Sequence, residues 1–209
     1  MSLHELTLSR FTESLASGAP TPGGGSASAL SGALAAGLVA MVARNTAANP
    51  DFADRAGELE EIAADAERLR AELLGLVDED AAAFDRVMAA FRLPKDTDEL
   101  KAARSREIQA GYRAAVEAPL RVCRDALAVL TLADRIAERG NPNAASDAGV
   151  AALLAASALE GAALNVDINL GAIKDESFRA ESAGMVQEAR ADGARLRDRA
   201  LATVQARLG

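Results

Sequence analysis

Histidine, cysteine, tryptophan and basic clusters are nearly or wholly missing from this 209-residue chain, and each scarcity removes a class of chemistry. The single histidine, His4, lies near one end of the sequence, so Ser-His-Asp and Cys-His mechanisms have no base at hand. One His and one Cys (Cys123) do not make the ligand set of a typical zinc site, so no metal and no tightly bound cofactor are expected. A lone cysteine forbids an intramolecular disulfide and makes a reducing, cytoplasmic setting the expected one. The formal net charge is −8 and no Lys/Arg cluster is present, so a nucleic-acid partner is not expected. Residues 1–10 lack a basic region followed by an apolar core and do not read as a signal peptide.

Aromatic residues make up 3% of the chain and tryptophan is absent, so the core is built from Ala, Leu, Val and Gly. A sheet would draw on β-branched and aromatic residues, whereas small side chains let helix backbones approach closely. The prediction is an all-α bundle of about six to eight helices, one domain over 1–209. Helical periodicity or capping places helices at 3–16, 26–47, 51–92, 97–139 (with Pro119 kinking or splitting it), 148–170 and 176–208. The stretch Ala27–Ala43 carries no charge, but its seventeen residues fall short of the roughly 20 that cross a bilayer, so it reads as a buried helix. It and the helix opened by Ser146 and Asp147 are apolar around most of their circumference and should form the centre. If one chain cannot cover both, a homodimer would.

The most specific segment is Pro20-Thr21-Pro22-Gly23-Gly24-Gly25-Ser26. Three glycines are costly to order, and Pro20 and Pro22 offset part of that cost by fixing φ. Ser26 is placed to cap the following helix, leaving a bare backbone turn where an anion or developing negative charge is favoured. No Gly-Lys-Ser/Thr follows and no strand precedes, which removes the Walker and Rossmann readings. A second polar junction, Gly140-Asn141-Pro142-Asn143-Ala144-Ala145-Ser146-Asp147, precedes the other central helix. Were the two helices to start at the same end of the bundle, both junctions would face one site. Asn165 and Asn169, four apart, share a helix face and need hydrogen-bond partners, from structure or from ligand. Asp80, followed by three alanines, enters a crowded region where burial would raise its pKa and suit it to acid/base work. Lys95 sits on a short loop where it could meet an anion.

Pro20–Ser26, the Asp80–Lys95 segment and Gly140–Leu170, in this order, resemble the formiminotransferase-cyclodeaminase / methenyltetrahydrofolate cyclohydrolase family, as a stand-alone cyclodeaminase-type domain. The resemblance implies an all-helical dimer acting on one-carbon tetrahydrofolate derivatives as substrate. Cyclodeaminase members close 5-formimidoyltetrahydrofolate to the 5,10-methenyl form with loss of ammonia, the first expectation for this chain. Cyclohydrolase members add water to the methenyl bridge to give 10-formyltetrahydrofolate, the alternative, and a non-catalytic folate-binding module is a third reading. Motif position and residue chemistry then assign proton transfer to Asp80, with Asp147 as the alternative carboxylate, charge balance and orientation to Lys95 and Asp147, and substrate contacts to Gly23, Gly24, Gly25, Ser26, Asn143, Asn165 and Asn169.

Overall fold

A computed structural model describes residues 2–209. Six α-helices carry the fold, α1 (Leu8–Ala16), α2 (Gly24–Ala47), α3 (Ala56–Phe91), α4 (Asp98–Arg139), α5 (Ala145–Leu170) and α6 (Glu176–Leu208), with no strand among the described residues. The expected first helix is divided, a 3₁₀ turn at Leu3–Glu5 preceding α1, which starts at its Thr7 cap. Gly18, at φ 80, closes that segment in the left-handed region that suits glycine.

The 3.6-residue period of α3 maps directly onto burial, for Leu59, Ile62, Ala66, Leu69, Leu73 and Leu76 are all buried. One expected start moves and the next holds. Asp51 does not cap α3; Asn49 accepts from its N–H and a 3₁₀ turn, Pro50–Arg55, intervenes. Thr97 does cap α4, accepting from the Leu100 N–H. Pro119 does not divide α4, which runs unbroken from Asp98 to Arg139.

Cross-helix contacts give the topology. Ser26 meets Asp80 and Arg44 meets Glu67, so α2 and α3 are antiparallel. Glu79 pairs with Arg121 and Glu58 with Arg135, making α3 and α4 antiparallel as well. Asn169 reaches Ala115, and Cys123 reaches the Leu159 carbonyl, so α5 runs back along α4. Burial pushes the Cys123 thiol up to about 12, which leaves it un-ionised and inert.

The two apolar helices, α2 and α5, are long and apolar enough to span a bilayer by length and composition, and each buries one side in the bundle while its outer face stays exposed. They lie antiparallel: Ser31 donates to the Leu154 carbonyl at 3.0 Å, and the Asn141 N–H donates to Thr46 Oγ1 at the far end. Alanine and glycine at the crossing let the backbones approach. A Cβ on Gly32 would lie 3.1 Å from Leu73 and 3.4 Å from Ala158. The antiparallel arrangement overturns the expectation that both polar junctions share one end. Residues 140–147 open α5 at the end of the bundle where α2 finishes, opposite the glycine turn.

The N-terminal segment is tied to α3 through Asp78, which accepts from Ser2, His4 and the Leu3 N–H. Burial pushes the Asp78 carboxyl up, but these donors outweigh it and hold it below the ordinary carboxylate range. Although serine, histidine and aspartate meet here, one histidine nitrogen, Nδ1, faces both partners. A relay needs both ring nitrogens, so this cluster is a tether.

Candidate active site

At the end of the bundle where α2 begins and α5 finishes, the helices enclose a cleft of about 450 Å³, within the range of small-molecule sites. Its floor is the glycine turn, with Gly23, Gly24 and Gly25 exposing backbone to the cleft. Asp80 stands beside it on α3. Continuing along the same face of α3 are Phe84, Val87, Met88 and Phe91, the i, i+4, i+7, i+8, i+11 series of a helix. Tyr112 and Ala115 of α4 close one side, and Asn165, Ile168 and Asn169 of α5 the other. Asp80 is the one charged residue among these lining side chains.

Gly25 is explained by Asp80. A Cβ built on Gly25 would overlap the Asp80 carboxylate, so residue 25 must be glycine for the acid to lie against the first turn of α2. Ser26 does not cap α2, contrary to expectation, since the helix starts earlier, at Gly24, with Gly23 as an N-cap that has no side chain. The Ser26 hydroxyl is fully buried and faces α3, 2.9 Å from the Val77 carbonyl and 3.0 Å from Asp80 Oδ2. The Ser26 N–H also donates to Asp80. Burial raises the Asp80 carboxyl above the ordinary range, and the two Ser26 donors offset only part of that rise. Here is a carboxylate with fixed orientation and raised proton affinity, facing a cleft with apolar walls.

A pH prediction follows from the Ser26 bond. A donor to the charged carboxylate lowers its pKa, so Ser26→Ala should raise the Asp80 pKa further. If Asp80 works as a base, the acidic limb of kcat/KM against pH moves to higher pH in the variant. A limb at the wild-type position would separate Ser26 from the titration.

Asn165 and Asn169 each use one side-chain N–H on backbone, the Gly161 carbonyl and the Ala115 carbonyl, both at 2.8 Å. Their amide oxygens have no protein donor among the described residues, and both residues line the cleft. Gln109 braces the wall from behind, donating to the Ala172 carbonyl and accepting from the Lys174 N–H.

The structure therefore gathers Gly23, Gly24, Gly25, Ser26, Asp80, Asn165 and Asn169 and leaves three expected residues outside. Lys95 lies on the exposed turn after α3 and does not line the cleft. Asn143 is exposed and Asp147 half-buried at the opposite end of α5. The rise per residue puts them about 25–30 Å from Asp80 along the bundle axis. Neither caps α5, whose N-cap is Ala144. The aromatic wall was not anticipated from the sequence. Its signal was present, since three of the chain's six Phe and Tyr residues fall at 84, 91 and 112, and Phe84 and Phe91 share the helical face of Asp80. Phe91 and Tyr112 pack edge to face, 6.3 Å between centroids.

The fold and cleft define an all-helical protein with a small-molecule site built around one half-buried carboxylate at a helix N-terminus. The pattern of the formiminotransferase-cyclodeaminase family matches residues 7–188, and the chain belongs to that family. It is 42% identical over 202 residues to a methenyltetrahydrofolate cyclohydrolase of Methylorubrum extorquens, covering 97% of each chain. It is 33% identical to a formimidoyltransferase-cyclodeaminase of Sus scrofa over 95% of this chain but 37% of that protein. Among solved structures, a formiminotetrahydrofolate cyclodeaminase from Thermotoga maritima superposes with a TM-score of 0.89 at 30% identity, covering 99% of this chain and all of that one.

Proposed function

We propose that this protein is a methenyltetrahydrofolate cyclohydrolase, adding water to the 5,10-methenyl bridge and releasing 10-formyltetrahydrofolate. The observation that carries the reading is Asp80, oriented by Ser26 and raised in proton affinity, as the only charge lining a cleft with aromatic walls. The similarity to the Methylorubrum extorquens cyclohydrolase, spanning nearly the whole of both chains, favours hydrolysis over the ammonia-releasing reaction expected first. The bifunctional cyclodeaminases are matched over about a third of their length.

The methenyl bridge is an amidinium cation, which a carboxylate complements in a site partly screened from water. Asp80 takes a proton from the attacking water as the C–O bond forms, giving a tetrahedral carbon between N5 and N10. It then returns that proton to N5 as the C–N5 bond breaks, and the new hydroxyl loses its proton to solvent as the formyl group forms on N10. One water is consumed and one proton released. Phe84, Phe91 and Tyr112 offer faces and edges to the flat rings, and the oxygens of Asn165 and Asn169 accept from pterin N–H groups. The test is a pair of assays with the purified protein. Loss of the methenyl absorbance should run well above the buffer rate, while ammonia release from 5-formimidoyltetrahydrofolate stays at background. The reverse result would make it a cyclodeaminase, and folate binding without either reaction would make it a binding module.

The acting unit, on this reading, is a homodimer formed through the outer face of α2 and α5. Leu34, Val150, Leu153, Leu164 and Ile168 are exposed there, Ile168 at 76%. Two adjacent helices of this length present roughly 36 by 20 Å, about 700 Å² per protomer, close to the ~800 Å² of a standard interface. A two-fold axis perpendicular to α2 and α5 exchanges the ends of the bundle. The 140–147 junction of one protomer then approaches the cleft of the other, which gives Asn143 and Asp147 a use. Mixing inactive Asp80→Asn and Asp147→Asn dimers should then restore about a quarter of wild-type activity after subunit exchange, since half the dimers carry one intact site. No recovery, with both variants dimeric and inactive alone, would place both residues in a single protomer's site.

A further inference from the structure

Pro119 lies in the middle of α4, buried, in a helix that continues without interruption on both sides. Proline at this position has no N–H for the carbonyl four residues earlier, and its ring pushes that carbonyl away from the helix axis. The carbonyl in question belongs to Ala115, and Ala115 lines the cleft. A buried carbonyl without a donor is costly, so a replacement is needed from outside the helix. Asn169 of α5 supplies it, its Nδ2 donating to the Ala115 oxygen at 2.8 Å. With the N–H end of the amide committed to Ala115, its oxygen has no protein donor among the described residues, and Asn169 lines the cleft.

We infer that Pro119 is a positioning residue of the site: by leaving the Ala115 carbonyl without its helical donor, it fixes the Asn169 amide and so the acceptor that meets the substrate. The inference rests on the folate reading for the identity of that substrate, though the Pro119–Ala115–Asn169 relay itself does not. It also accounts for a proline inside a 42-residue helix, where an N–H would ordinarily stabilise the ladder. Stability is given up at the site wall in exchange for orientation.

Pro119→Ala restores the N–H, draws the Ala115 carbonyl back into the helix and loosens Asn169. Thermal stability should rise while KM for 5,10-methenyltetrahydrofolate increases about tenfold, the equivalent of one hydrogen bond, with kcat little changed. A residue of merely structural importance would show the opposite, a lower melting temperature with KM unmoved. Asn169→Ala should raise KM similarly, and the double variant should be no worse than either single one. Additive losses would overturn the coupling. The relay can also be read without turnover, from exchange of the Asn169 side-chain amide protons by NMR. They should exchange slowly in the wild-type protein and markedly faster in Pro119→Ala. Equal exchange in the two proteins would overturn the relay, and a protein inactive on both folate substrates but with the exchange difference intact would overturn only the substrate assignment.

Discussion

Asp80→Asn should lower turnover by at least about 100-fold, the usual contribution of a positioned acid/base group, while leaving the fold no less stable at neutral pH. Both halves come from the same burial. Burial raises the Asp80 pKa because the cleft wall disfavours the charged form. A group whose folded pKa lies above its unfolded one contributes stability only where it is protonated, below the ordinary carboxylate range, and that contribution is lost as pH rises through the folded pKa. At pH 7 the ionised Asp80 is therefore a liability to the fold. Asparagine keeps the acceptor for Ser26 without the buried charge. Thermal melts should place the variant at or above the wild type at pH 7, with the advantage shrinking as the pH is lowered towards 4. A near-normal rate would remove Asp80 from proton transfer, and a lower melting temperature at pH 7 would show that its charge supports the fold.

Gly25→Ala should be almost as damaging to turnover through a single added methyl. The new Cβ would occupy the space of the Asp80 carboxylate, with the Ser26 bonds on one side and the backbone of α2 on the other. Either the carboxylate rotates out of its bonds or α2 and α3 separate, and overpacking of this kind costs about 1–3 kcal/mol. Turnover should fall by about 100-fold, because the displaced acid no longer faces the reacting carbon. The cause can be isolated by adding Asp80→Ala to Gly25→Ala. Removing the carboxylate clears the overlap, so the double variant should regain most of the lost melting temperature and none of the activity. A Gly25→Ala protein with normal turnover would mean that the acid tolerates displacement.

Much of this was legible in the sequence because it depends on local rules. The helix period of Leu59 to Leu76, the charge-free run of α2 and the Thr97 cap are each set by residues within a few positions of one another. Aspartate at 80 was marked by its crowded neighbours, and glycines 23–25 by their conformational cost. Other features escaped because they join distant segments. Ser26 read as a cap, the default for serine at a helix start, until α3 offered its hydroxyl the Val77 carbonyl and Asp80. Pro119 read as a kink until Asn169, fifty residues on, met the carbonyl it frees. Lys95 read as a loop cation near an anion, and it is exposed and absent from the cleft lining.

Composition and local pattern suffice to make this chain helical, to deny it histidine and cysteine chemistry, and to mark Asp80, the asparagines and the glycine turn as candidates. Composition and periodicity act through nearest-neighbour energetics, which any stretch of chain carries with it. That α2 and α5 run in opposite directions emerges from the packed molecule alone. Helix direction follows from the packing of all six helices together, and no single segment encodes it. That one fact puts the glycine turn beside Asn165 and Asn169, and puts Asn143 and Asp147 at the far end, where within one protomer they cannot reach the cleft.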